Sequence, residues 1–199
     1  SLNAGWQFHL GELAGVEAVK NAKSERVNLP HDFLIGQPWV EPGASERPDN
    51  SDAGSNVRSR LSPRGFKEMN VGWYRYVLTP KQEWKGRRVV LDFQGIMLVG
   101  DVWLNGKHIG KTDYGYLGFD TDISSMLKYD GDNEIIVKAN TQQPNNSRWY
   151  TGGGLYRDVN IIVTDKKLYF PRHPLFIRTE NNKKVKIQAE IACFNKVDN

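Results

Sequence analysis

Residues 140–159, NTQQPNNSRWYTGGGLYRDV, gather amide, guanidinium and aromatic side chains into one connection between two strand-like runs. This inventory suits sugars. Their hydroxyls exchange hydrogen bonds with Asn, Gln and Arg, and the C–H faces of a pyranose lie on Trp or Tyr rings. The same residues also fit a structural reading, in which Trp149 and Tyr156 plug the end of a sandwich and Arg157 pairs locally. Composition alone leaves both readings open.

Other constellations carry less. Asp130, Asp132 and Glu134 in DGDNE form an oxygen-rich group, but the twelve-residue spacing and central glycine of an EF-hand are missing, so a solvated turn is expected. Asp120 and Asp122 stand two apart and would share a strand face as an acid/base pair; capping of the turn that follows explains them more simply. His9, His31, His108 and His173 show no HxH or HExxH spacing, which argues against zinc. The run 152–154 is not flanked by a buried strand and a helix as a phosphate loop would be, and it reads as a turn. Arg47, Arg58, Arg60 and Arg64 lack interleaved aromatics or a helix to present them, so they read as a solvated loop and not as a phosphate grip. The single cysteine, Cys193, excludes an internal disulfide and a cysteine zinc cluster. No cofactor and no metal is expected.

The elements that must position these groups are short strands. Residues 89–112 read as three of them, with Asn105-Gly106 as a hairpin turn, because a type I′ turn needs positive φ at both central residues. Residues 5–10, 25–29, 72–80, 129–140 and 159–164 add strand patterns, and 119–127 reads as a strand end running into one helical turn capped by Asp122 or Thr121. Residues 11–24 have a weakly helical composition but no clear apolar stripe and read as a surface connection. The Pro-, Gly- and Ser-rich stretch 36–70 is too long for an idle connector and is expected to be a functional or disordered loop. Many strands, frequent turn residues and scarcely any helix predict an antiparallel sandwich or jelly roll.

The chain has 199 residues, of which 25% are charged, and its formal charge of +4 is spread along its length. Nucleic acid is usually met by a dense basic stripe, so none is expected as a partner. No run approaches the roughly 20 consecutive apolar residues of a membrane-spanning helix, so no membrane is expected either. A boundary is expected near residues 165–167. Beyond it 168–170, 175–179 and 184–194 look like strands of something new, and Val185, Ile187, Ala189, Ile191 and Cys193 would share one face that a partner sheet must cover. This pattern predicts a cut from a longer polypeptide.

Several of these motifs together resemble one family. GWYRYVLTP, VWLNGKHIG, YGYLGFDTDIS and NTQQPNNSRWYTGGGLYRDVNIIVTD, with LPHDF upstream, follow the order and spacing of the amino-terminal domain of glycoside hydrolase family 2. Among its members bacterial β-galactosidases are the most similar, with β-glucuronidases and β-mannosidases beside them. The resemblance implies an all-β fold: a galactose-binding-domain-like jelly-roll β-sandwich over 1–166, followed at 167–199 by the first strands of an immunoglobulin-like sandwich. It further implies a retaining hydrolase whose two catalytic glutamates belong to a (β/α)₈ barrel, and about 250 residues are needed for such a barrel. The implied role of the present residues is therefore non-catalytic, with carbohydrate as the substrate of the parent enzyme, the missing immunoglobulin-like and barrel domains as partners, and a homo-oligomer compatible. Asn133-Glu134 looks superficially like the family's Asn-Glu acid/base motif but precedes a strand inside the jelly roll. By the resemblance, Arg148 helps to shape the pocket, Trp149 and Tyr150 support it, and Asp32 is a further candidate. A free-standing carbohydrate-binding module and a purely structural spacer are the competing readings.

Overall fold

A computed structural model describes residues 1–39, 67–142, 150–180 and 184–193. Arg47, Arg58, Arg60, Arg64, Arg148 and Trp149 lie outside the described residues. A six-stranded sheet carries β1 (Trp6–Leu10), β2 (Glu25–Val27), β3 (Val71–Leu78), β5 (Val99–Leu104), β6 (Lys107–Thr112) and β8 (Asn133–Asn140) in the order β2-β1-β3-β8-β5-β6. Facing it is a three-stranded sheet of β4 (Arg88–Phe93), β7 (Phe119–Asp122) and β9 (Val159–Thr164), ordered β7-β4-β9. Each of these pairings is antiparallel.

The core lies between the sheets because side chains alternate across each strand. Trp6 and Phe8 of β1, Tyr74 and Leu78 of β3, Val102 and Leu104 of β5, and Ile135 and Val137 of β8 meet Val89, Leu91 and Phe93 of β4 and Val159 of β9. The Trp6 indole N–H, fully buried, donates to the Leu2 carbonyl at 2.5 Å. Asn105 and Gly106 both take positive φ, 52° and 79°, as the β5–β6 hairpin requires. The register of that hairpin slips between Val102 and Trp103.

Three local expectations need revision. Residues 11–24 run over the surface but contain a 3₁₀ helix, Val16–Asn21, whose buried Val19 joins Val71, Trp73 and Ile136 in a small second cluster on the outer face of the large sheet. Six residues of 3₁₀ helix leave no stripe at helical spacing, so only the composition of the stretch hints at it. Residues 184–194 are not one strand. After β11 (Leu175–Glu180), β12 (Lys184–Ala189) ends, Glu190 N–H donates to the Pro174 carbonyl, and Ala192–Cys193 forms a separate β13 paired with β10 (Leu168–Tyr169). The chain changes partner there, so Ile191 and Cys193 leave the stripe that Val185, Ile187 and Ala189 form opposite Thr179, Ile177 and Leu175. The third revision concerns residues 152–154, which do not make a simple turn but a segment pressed between two others.

The turn after β7 is capped as expected: Asp122 Oδ1 accepts the Ser124 N–H at 3.0 Å, and Met126 N–H donates to the Ile123 carbonyl at 2.9 Å. The DGDNE group is likewise structural. Asp132 accepts the Thr79 hydroxyl, buried Asn133 ties Lys128 to Asn105, and Glu134 pairs with Arg75 at 2.6 Å. Asn133-Glu134 is thus a strand start.

Candidate functional site

At one end of the sandwich the LPHDF stretch, residues 29–33, meets residues 150–155. His31 N–H donates to the Leu155 carbonyl at 2.8 Å and Phe33 N–H to the Gly153 carbonyl at 3.0 Å. On its other side the same segment exchanges two bonds with Met97, Gly154 N–H to the Met97 carbonyl at 2.8 Å and Met97 N–H to the Gly154 carbonyl at 2.9 Å. Residues 153–155 therefore lie as a strand-like ribbon between two neighbours. Alternating bonds to left and right satisfy a backbone that would otherwise be buried without partners.

Asp32 is the hub. Its Oδ1 accepts the Leu34 N–H at 3.0 Å and the Gly153 N–H at 2.8 Å, while Oδ2 accepts the Tyr150 hydroxyl at 2.7 Å. Hydrogen bonds to a charged acceptor are about twice as strong as neutral ones. Partial burial, reinforced by the adjacent Asp32 carboxylate, pushes the Tyr150 phenol above its ordinary range, so it keeps its proton and donates. Tyr150 as a residue remains 42% exposed on this fixed base.

Beneath the ribbon lies Tyr74, fully buried, whose hydroxyl accepts the Leu155 N–H at 3.4 Å and sits 2.9 Å from His31 Nδ1. Burial pushes the Tyr74 phenol far up and pulls the His31 imidazole down from 6.5, against the opposing carboxylates of Glu25 and Asp32. Burial favours the neutral imidazole, and since the Tyr74 oxygen already takes the Leu155 N–H, the Tyr74 proton is satisfied when His31 Nδ1 is the bare nitrogen. An imidazole lowered by folding binds its proton more readily when unfolded, so the stability it supports is present above about 6.5 and is lost as pH falls below that value. Urea melts between pH 7.5 and 5 are expected to show this loss, and His31→Asn to flatten the slope while lowering the plateau.

The glycine run follows from crowding. A Cβ at 152 would meet Asp32 Oδ2 at 2.6 Å, at 153 it would meet Leu34 and Thr141 at 2.8 Å, and at 154 it would overlap the Tyr74 hydroxyl. Next to the ribbon the Tyr156 hydroxyl donates to the Gly115 carbonyl at 2.9 Å, and Arg157 Nη1 reaches the Gln94 and Tyr116 carbonyls at 3.4 and 3.3 Å with its guanidinium 5.0 Å from the Tyr156 ring. Tyr156 and Arg157 are thus held by local contacts, which is the structural reading for these two residues. Tyr114, Leu117 and Trp39 are also exposed, and Lys67 Nζ lies 4.1 Å over the Trp39 ring.

Of the four sequence-derived site residues, the structure joins Asp32 to Tyr150, and Arg148 and Trp149 lie outside the described residues. Tyr74 and His31, which sequence reasoning did not single out as a pair, form the buried support. Among the described residues no three His, Cys, Asp or Glu side chains converge as a metal site. An open cleft of about 680 Å³ lies at the other end of the three-stranded sheet, lined by Lys85, Arg87, Arg88 and Lys166. Arg88 already pairs with Asp122 at 3.2 Å and covers the Tyr169 ring at 4.1 Å. The cleft shares no lining residue with the Asp32–Tyr150 cluster.

Comparison with known proteins agrees with this architecture. Residues 66–166 match the family described as glycosyl hydrolase 2 galactose-binding domain-like. A β-galactosidase of Bacteroides ovatus is 32% identical over 166 residues, 81% of this chain and 18% of that protein. A putative β-glucuronidase of Formosa agariphila is 28% identical over 197 residues, 96% of this chain and 17% of that protein. The crystal structure of a β-glycosidase from Bacteroides vulgatus superposes with a TM-score of 0.76 at 29% identity, covering 98% of this chain and 24% of the other. The chain thus spans less than a quarter of the length of these relatives. With its two facing antiparallel sheets and its match across half of its length, the chain belongs to the glycosyl hydrolase 2 galactose-binding-like family.

Proposed function

We propose that these residues are the amino-terminal, non-catalytic jelly-roll domain of a retaining β-glycosidase of the β-galactosidase kind, whose 140–159 connection helps to shape the active-site rim. The observation that carries this reading is the Asp32–Tyr150 tie, which fixes the chain immediately after Arg148 and Trp149 to the LPHDF stretch. On this reading Arg148 reaches the sugar, Trp149 and Tyr150 flank it, and Asp32 holds the base of the loop. The jelly roll spans 1–166 and an immunoglobulin-like sandwich begins at 167. Hydrolysis itself needs two carboxylates about 5 Å apart, supplied by a barrel elsewhere in the polypeptide. The relatives named β-glucuronidases support a second reading in which the sugar is a uronide.

Purified residues 1–199 are expected to release no nitrophenol from nitrophenyl β-galactoside, and robust turnover would overturn the non-catalytic reading. In the longer enzyme Arg148→Ala is expected to lower kcat/KM by about 10–100-fold, the value of a hydrogen bond from a charged group. A mere spacer would leave both kcat and KM in place. Assay of the galactoside beside the glucuronide decides the sugar. Calorimetry of 1–199 with galactose is expected to be silent, whereas tight binding would favour a free-standing module.

A further inference from the structure

On the outer face of the three-stranded sheet, the register places Asn160, Asp92 and Asp120 side by side in one row across β9, β4 and β7. Two carboxylates directly opposed on neighbouring strands repel each other, and Asp92 is only 7% exposed, so the row needs a cation. Arg172 supplies it. Its Nη1 lies 2.9 Å from Asp92 Oδ1 and 3.5 Å from Asp120 Oδ1, a pairing of charges and not an aligned hydrogen bond. Burial pushes the Asp92 carboxyl up, and Arg172 and Asn160 oppose that push.

The cation arrives on a stiff piece of chain. Residues 170–174 read FPRHP, and each proline fixes its own φ near −65°. His173 sits at φ 55°, an uncommon conformation for a side-chain-bearing residue that persists where its surroundings hold it, and Arg172 Nε donates to His173 Nε2 at 3.3 Å. A second contact lies upstream on the same segment, the Tyr169 ring under the Arg88 guanidinium at 4.1 Å. Directly after Pro174 comes the β11–β12 hairpin, whose apolar Leu175, Ile177, Val185 and Ile187 are 58–65% exposed.

We infer that Arg172, seated on Asp92 and Asp120, is an orientation clamp that locks residues 168–174 against the outer face of the jelly roll and so sets the direction in which the β11–β12 hairpin leaves it. A buried ion pair contributes little net stability but discriminates among arrangements, since one alternative leaves two facing carboxylates without a cation. That the hairpin opens a further sandwich belongs to the reading above and supplies the purpose of the clamp. The clamp itself is a property of the described chain.

The test uses residues 1–199 with Cys193→Ser and spin labels at Glu83→Cys, on an exposed 3₁₀ turn of the jelly roll, and Gln188→Cys, on β12. Double electron–electron resonance is expected to give one narrow distance distribution. Arg172→Met is expected to at least double its width while tryptophan fluorescence stays that of a folded jelly roll; the urea midpoint is expected to fall, since Asp92 and Asp120 are left facing each other without their cation. Arg178→Met, which removes an ion pair with Glu180 confined to the hairpin, is expected to leave the width unchanged. An unchanged distribution in Arg172→Met, or equal broadening in Arg178→Met, would overturn the clamp. Both readouts are geometric, so loss of the glycosidase reading would leave them untouched.

Discussion

Asp32→Ala is expected to destabilise the chain by about 2–4 kcal/mol, because one substitution strands three donors at once. The Leu34 and Gly153 amides and the Tyr150 hydroxyl all end on this carboxylate. The Tyr150 hydroxyl lies near solvent and recovers a partner in water, whereas the two amides lie in partly buried backbone and recover less. With a change in melting temperature of about 2–4 °C per kcal/mol for a domain of this size, the melting point is expected to fall by about 5–15 °C. Asp32→Asn retains an acceptor for the amides and loses the charge assistance, so about 1 kcal/mol is expected. Tyr150→Phe removes only the exposed member of the set, so its melt is expected to shift by less than that of Asp32→Asn. Thermal melts followed by circular dichroism check the ranking, and hydrogen exchange at the Gly153 amide distinguishes local release of the ribbon from global unfolding. A ranking in which Tyr150→Phe costs as much as Asp32→Ala would mean that the loop, and not the carboxylate, holds this end together.

Much of the framework was legible because it rests on local rules. Asn105-Gly106 announced its hairpin through the φ values it can adopt, and the alternation in 89–94, 99–104 and 133–140 identified strands. Alternation is blind to sheet membership, however. β4 and β5 are neighbours in sequence and read alike, yet β4 pairs with β7 and β9 while β5 pairs with β6 and β8. Only packing across the core decides that partition. In β3 both faces are covered, Tyr74 toward the main core and Trp73 toward the small cluster on Val19, so its aromatic pattern could not say which side held the polar anchor.

The site was legible in its ingredients and not in its assembly. Composition pointed to 140–159, and the family resemblance added Asp32, but no spacing rule connects Asp32 with Gly153, which lies 121 positions away. The pairing exists because residues 29–33 and 153–155 hydrogen-bond side by side, a tertiary fact. The row of Asn160, Asp92 and Asp120 was hidden for the same reason. Spacing sets Asp120 beside Asp122, its neighbour in sequence, whereas the group that shares its cation is Asp92 across the strand gap. Three glycines in a row, as at 152–154, usually signal a loose turn, and here they signal contact. Their missing side chains are the space that Asp32, Leu34 and Tyr74 occupy.

That last point yields the sharpest contrast among single substitutions. Gly154→Ala is expected to cost about 2–5 kcal/mol and Gly131→Ala to cost nothing. At 154 two effects add. The backbone has φ 107°, which an L side chain rarely adopts, at a penalty of about 1–2 kcal/mol. The added methyl group would also overlap the Tyr74 hydroxyl and press on the His31 carbonyl at 2.9 Å, where overpacking typically costs about 1–3 kcal/mol. Tyr74 cannot yield easily, since it is fully buried and its hydroxyl is held by His31 and the Leu155 amide. Pushing it aside also loosens the bonds between Gly154 and Met97, and with them the ribbon that carries Tyr150. At 131 nothing lies within 4 Å of the added methyl group and φ lies outside the left-handed region, so the loss of freedom in the unfolded chain is expected to stabilise by about 0.4–1 kcal/mol. Urea titrations of the two variants measure both signs in one experiment. If Gly154→Ala unfolded at the midpoint of the parent chain, the ribbon would not be pressed on Tyr74, and the rigid base assigned to the 140–159 connection would be lost with it.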